Sequence, residues 1–179
     1  MSSPVNMPYT IPMQEYVTNA LVLRKDSLGD LDGRYTLFTE RFGKISAKAK
    51  SSRKITSKLA PHLEPGMVSK VRVLETKGTQ LIDALKSDRL PASMNSLYVL
   101  SQLLPDGEPE PELWAMIAEN NLIWKKILSV LGWDPEGAMC AVCGIRPGEY
   151  FYTPRQEFYC SICASKARRD AVIFIDAAF

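Results

Sequence analysis

The chain has 179 residues, 46% of them apolar and 23% charged, with a formal net charge of +2. That length and composition support one sizeable domain or two small ones with a buried core, and exclude disordered and fibrous classes. No window approaches about 18 uninterrupted apolar residues, and the first fifteen lack both a basic start and an apolar run, so neither a membrane span nor a secretory leader is expected. Residues 1–14, with three prolines, are expected to be a flexible lead-in.

Strand patterns come first. Val17–Arg24 reads as a strand, Ser27–Gly33 as a turn, and Arg34–Thr39 and Lys44–Ala49 as alternating strands around a tight turn at Arg41–Gly43. Ser57–Leu63 can hold a helical turn. Val68–Leu74 places Val71 and Val73 on one face and Lys70 and Arg72 on the other, and Thr79–Ala84 closes the series. Five short strands with a helical turn between the third and fourth fit the OB-fold barrel, and a five-stranded SH3-like barrel is the rival. From Pro91 the period becomes helical. Ser93 is placed to cap a helix with Met94, Leu97, Leu100 and Leu104 on one face, and Pro105 stops it. After an acidic, proline-rich connector (105–112), Leu113–Leu131 reads as one long helix ended by Gly132, with Trp114, Ile117, Trp124, Leu128 and Leu131 on its apolar face.

All four cysteines fall in one window, Cys140 and Cys143 followed by Cys160 and Cys163. Two C-x2-C turns separated by sixteen residues can close a tetrahedral four-thiolate shell, so a structural Zn2+ is expected rather than disulfides. The aromatic segment Glu149–Phe158 suits a ribbon hairpin, and Gly144 lets the backbone bend around the metal. The only histidine, His62, is far from this window.

Charge is unevenly placed. Residues 1–90 carry fifteen Lys/Arg and nine Asp/Glu, whereas 91–179 carry seven and eleven. Between Arg41 and Leu63 there is no acid at all. Lys44 and Lys48 share one strand face, and Lys50, Arg53, Lys54 and Lys58 extend the patch into the following loop. With Arg34 and Arg41 as flankers, these residues are the candidate nucleic-acid contacts, since a basic barrel face tracks a phosphate backbone. Tyr35 or Phe42 is a candidate for base stacking. No P-loop, catalytic triad or carboxylate pair at an open metal site is present, so no enzymatic activity is expected.

The stretch from Ala20 to Lys54 (ALVLRKDSLGDLDGRYTLFTERFGKISAKAKSSRK), the segment 109–144 with its leucine-glycine-aromatic-x-proline run, and the paired cysteines together resemble the RecO family of recombinational DNA-repair mediators. The resemblance implies an α+β chain: an N-terminal five-stranded OB-fold barrel followed by a small helical domain carrying a four-cysteine zinc ribbon. The expected divisions are a lead-in (1–14), a basic OB-fold (15–86), a helical region (91–134), a zinc ribbon (138–166) and a C-terminal segment (167–179). It implies binding to single- and double-stranded DNA, strand annealing, and loading of recombinase onto coated single strands. The implied partners are RecR and the acidic C-terminal tail of single-stranded-DNA-binding protein, and the implied location is cytoplasmic, at the nucleoid. Trp124, Lys125, Lys126, Ile127 and Leu131 are the expected groove for that tail. Two departures stand out: the helical region is shorter than is usual in the family, and Ser51 stands where a glycine is often found. An RNA-binding or scaffold protein of transcription or translation is the alternative reading.

Overall fold

The computed structural model describes residues 13–179, so the expected lead-in lies almost wholly outside the described residues. Five strands, β1 (Gln14–Leu28), β2 (Asp32–Thr39), β3 (Gly43–Ala49), β4 (Met67–Glu75) and β5 (Thr79–Arg89), close into a barrel in the order β1-β2-β3-β5-β4. The β3–β5 pairing is parallel, through Lys48 and Gln80, and a 3-10 turn at Ala60–His62 precedes β4. This is the OB-fold order, which disposes of the SH3-like rival. The first hairpin is tighter than expected: β1 runs on to Leu28, and Ser27 pairs with Gly33.

Alternation explains the barrel. Ala20, Val22, Tyr35, Leu37, Ala47, Ala49, Val71 and Val73 point inward and form its core with Leu63, Met67, Leu81 and Ala84. The other face of β1, Leu21 and Leu23, joins Phe38 in a second core shared with the helices. Because β1 is covered on both sides, its sequence reads as a continuous apolar run rather than an alternating one.

Three helices follow: α1 (Met94–Leu103), α2 (Pro111–Ala118) and α3 (Trp124–Val130). Ser93 caps α1, its Oγ accepting the Ser96 N–H at 2.9 Å. Leu97, Leu100 and Leu104 are buried as expected, while Met94 is exposed. The single long helix expected over Leu113–Leu131 is instead two helices. Asn120 takes a left-handed φ of 52°, its N–H donates to the Ile117 carbonyl, and the Asn121 N–H donates to the Met116 carbonyl. That is a Schellman stop with asparagine in the position glycine usually fills. Gly132 ends α3 the same way, with its N–H on Ser129 and the Trp133 N–H on Leu128.

The remainder is a small three-stranded sheet, β6 (Tyr150–Tyr152), β7 (Glu157–Tyr159) and β8 (Val172–Phe174), in the order β7-β6-β8, with a single helical turn α4 (Ser161–Ala164). The hairpin was expected, but the third strand from the C-terminal segment was not. That segment also finishes the helical region. The Trp124 and Lys125 N–H groups, orphaned at the start of α3, donate to the carbonyls of Ala177 and Ile175. The Phe179 ring lies 5.2 Å from that of Trp124. No helix among the described residues is long and apolar enough to cross a membrane.

Candidate nucleic-acid interface and metal centre

The eight cations picked from the sequence do not form one patch. Arg34 and Lys48 are direct neighbours across the β2–β3 ladder. Like charges placed opposite one another on a sheet face are mildly destabilising, so the fold gains nothing from this pair. They line a cleft of about 430 Å³ with Ser46, Gln80 and the β4–β5 turn, which brings in Lys77. No carboxylate lines this cleft. Asp26 sits opposite Arg34 on the β1 side, but Arg24 holds its carboxylate at 2.8 Å. Lys77 was missed in the sequence because it stands alone in a turn. The signal that finds it is topological: the turn between the fourth and fifth strands of an OB-fold lies beside the ligand face.

Lys50, Lys54 and Lys58 are exposed in the loop after β3. The start of that loop is pinned to the first hairpin: the Ser51 N–H donates to the Asp32 carboxylate at 2.7 Å and the Arg53 N–H to the Leu31 carbonyl at 2.9 Å. The Arg53 guanidinium donates to the Gly29 carbonyl, so it serves the loop's shape. Arg34, Arg41, Lys48, Lys50, Lys54, Lys58 and Lys77 have no ion-pair partner among the described residues.

Lys44 is a correction. Its side chain is only 15% exposed, donates to the Ser101 carbonyl at 2.9 Å, and lies 3.3 Å from the Asp106 carboxylate. Ser101 offers one of the unpaired carbonyls in the last turn of α1, where a cation is favoured. Lys44 therefore ties the barrel to the helices. Beside it, Gly43 has a φ of +63°, and a Cβ there would lie 2.0 Å from the Glu108 carbonyl oxygen, so the connector can cross only a glycine. Arg41 lines a separate cleft with Phe42, while Tyr35 is fully buried in the barrel and unavailable for stacking.

The expected groove on the last helix is also corrected. Trp124 and Ile127 are 3% and 0% exposed and belong to the core, which they share with residues of α2 and of the C-terminal segment. Leu131 packs partly against the same core. Only Lys126 is open, in a cleft that also holds Glu112 and Glu119. Lys125 lies 3.6 Å from Glu136.

The four cysteines do converge. The Sγ atoms of Cys140, Cys143, Cys160 and Cys163 lie within 4.8 Å of one another, and those of Cys143 and Cys160 are 3.9 Å apart. A tetrahedron with metal–sulfur bonds of about 2.3 Å has edges of ~3.8 Å, so the cluster is already at ligand spacing and can hold a metal ion. The backbone prepares it. Gly144, at φ +66°, donates to the Cys140 carbonyl, while the Cys140 N–H donates to Arg146 and the Ala141 N–H to Phe158. Burial pushes the Cys140 thiol up, but the backbone N–H groups around it outweigh this and bring it to about 6. Burial and the neighbouring sulfurs push Cys163 up to about 12. Four thiolates at this spacing repel one another, and a bound cation is what allows all of them to ionise. His62 is not part of the cluster; its Nδ1 accepts the Lys86 N–H at 3.1 Å.

Comparisons with known proteins agree with this architecture. A family model described as the N terminal of recombination protein O matches residues 13–87. The DNA repair protein RecO of Myxococcus xanthus is 29% identical, with 90% of this chain and 78% of that protein covered. RecO of Thermodesulfovibrio yellowstonii is 30% identical over 84% of this chain and 70% of its own length. RecO of Bacillus pumilus is 23% identical over 83% and 68%.

Proposed function

The chain belongs to the RecO family of DNA-repair proteins, and from that premise we propose that it is a non-enzymatic DNA-binding mediator that anneals complementary strands and helps load recombinase. The observation that carries this reading is the cleft of Arg34, Lys48 and Lys77, three cations gathered without a carboxylate among its lining residues. Bringing two polyanions together requires a surface that screens both, and no bond chemistry. Lys50, Lys54 and Lys58, already expected from the sequence, extend that surface; Lys77 joins it, while Lys44 and Arg53 donate to backbone carbonyls of the fold.

Zn2+ is the metal the four thiolates suit, in a closed structural site with no open position for water. RecR and the acidic tail of the coating protein are the partners this reading brings. Of the residues expected to meet that tail, Trp124 and Ile127 are buried, and Lys126 is open in a cleft it shares with Glu112 and Glu119. The place of action is the cytoplasm, at the nucleoid.

The test is fluorescence-monitored annealing of two complementary DNA strands across a salt series. Acceleration that fades with salt is expected. With about six phosphates neutralised, log K for a single strand should fall against log salt with a slope of roughly −4. No acceleration by folded, metal-loaded protein would overturn the mediator reading in favour of an RNA-binding or scaffold role.

A further inference from the structure

Beside the basic cleft lies a second one, of about 250 Å³ and opposite in character. Tyr16, Phe42, Ile45 and Val73 give it apolar and aromatic walls, and Arg41 and Glu75 stand at its sides. Thr79 lines both clefts, so they adjoin on the barrel surface. The Tyr16 and Phe42 rings are 4.9 Å apart and tilted, and the Arg41 guanidinium carbon lies 5.4 Å from the Phe42 ring centre. Both rings are only half-buried. Glu75 is exposed and has no ion-pair partner among the described residues.

A phosphate does not suit this second cleft, since a carboxylate would repel it and the walls would not solvate it. An unpaired nucleobase does. Aromatic rings and guanidinium planes offer stacking partners to any base, and stacking is how single-strand readers supplement phosphate contacts. The cavity is below the roughly 300–1,000 Å³ of sites for drug-sized molecules, a scale that fits one ring system. The carboxylate adds a preference. Cytosine presents its N4 amino group, a donor that Glu or Asp accepts, whereas thymine presents a carbonyl oxygen there.

We propose that the cleft between Tyr16, Phe42 and Glu75 takes one base of a single strand whose phosphates lie on Arg34, Lys48 and Lys77, and that Glu75 favours cytosine over thymine. The proposal rests on the nucleic-acid reading of the basic cleft and goes beyond it, because phosphate contacts alone carry no sequence information. A paired base keeps both faces stacked inside the duplex, so the second cleft distinguishes single strands from double ones.

The experiment is fluorescence anisotropy of the full chain with labelled oligodeoxycytidylate, oligodeoxythymidylate and an abasic strand, all of one length. Their backbone charge is equal, so any difference isolates the base. The cytidylate strand should bind tightest and the abasic strand weakest. Phe42→Leu, which keeps apolar volume but removes the aromatic face, should cost at least about five-fold on both base-bearing strands and nothing on the abasic one. Glu75→Gln, a change at an exposed site, should erase the cytidylate preference while leaving the salt slope unchanged. Equal affinity for all three strands, or Phe42→Leu binding like the parent, would overturn the base site while a steep salt slope left the basic cleft standing. Failure of the unmodified protein to bind any strand would overturn both readings.

Discussion

The barrel and the ribbon solve the problem of being small in opposite ways. The barrel closes twelve buried side chains on themselves, from Ala20 to Ala84, and leaves its cations outside. The ribbon closes little on itself: its own buried cluster is Cys140, Tyr159, Cys160 and Ala164, its strands are three residues long, and Phe151 and Ile173 are buried in the core of the helices instead. Each region holds like groups that the fold does not neutralise. In the barrel these are Arg34 and Lys48, for which the proposed counter-charge is a passing polyanion. In the ribbon they are four thiols, which are spaced to hold a cation. Removing the counter-charge should therefore cost the barrel its function and the ribbon its fold.

The sharpest way to break this comparison is to remove the metal. Structural zinc contributes an apparent ~10–16 kcal/mol to small zinc-dependent folds. Chelation or Cys140→Ser should release the metal and abolish amide protection in β6, β7 and β8. Because Ala177 and Ile175 accept the first N–H groups of α3, that helix should loosen too, while β1–β5 stay protected. Hydrogen exchange with metal analysis decides it. Ribbon amides that stay protected without metal would show a self-sufficient ribbon and erase the contrast.

Binding the metal requires each thiol to lose its proton, which gives the ribbon's half of the comparison a pH dependence. The folded ribbon holds Cys140 at about 6 against an ordinary thiol near 9 and pushes Cys163 up to about 12, so Cys163 is the costlier ligand to ionise. Metal occupancy should fall as pH is lowered, and metal release followed against pH checks this; occupancy unchanged by acidification would contradict thiolate ligation.

The seam between barrel and helices gives the next largest effect. Gly43→Ala puts a methyl group onto the Glu108 backbone and forces alanine into a left-handed conformation. Overpacking and strain of these kinds cost about 1–3 kcal/mol each, so a loss of about 3 kcal/mol is expected. For a chain of this size that lowers Tm by roughly 6–12 °C in a thermal melt. A shift under about 2 °C would mean that the connector moves aside freely.

Much of this architecture was legible in the sequence. Strands β2, β3 and β4 alternate with period two, β1 reads as an apolar run, and the two C-x2-C turns specify their own geometry. What escaped reading depends on partners far away in the chain or on a local stop hidden by a continuing pattern. Apolar residues keep helical spacing from Trp114 to Leu131, so the break at Asn120 was read through, although two adjacent asparagines sit there. β8 was missed because its three residues pair with a strand that starts 22 positions earlier. Lys77 needed the topology before it had neighbours. Trp124 and Ile127 looked available because the segment that covers them, Ile175–Phe179, had no assigned structure.

Lys44 and Lys48 are the finest test, because sequence treats them alike and the fold separates them. They are four apart on one strand, in the same acid-free stretch, and both were expected to meet phosphate. Lys48 stands opposite Arg34 with no ion-pair partner among the described residues, whereas Lys44 is tied to the Ser101 carbonyl and Asp106 across the seam. Asp106 is 88% exposed, so solvent screens much of that ion pair, and the hydrogen bond to the carbonyl carries most of the effect. Lys44→Met should keep the apolar stem, lose about 1 kcal/mol of stability, and leave the salt slope for single-stranded DNA unchanged. Lys48→Met should do the reverse. It should shallow the slope by about 0.7, one phosphate's worth, and leave stability level or a few tenths of a kcal/mol higher as the repulsion with Arg34 is relieved. Paired chemical denaturation and salt titrations read both quantities on both variants. If the two substitutions shift the salt slope equally, Lys44 meets phosphate after all and its tie to α1 opens when DNA binds.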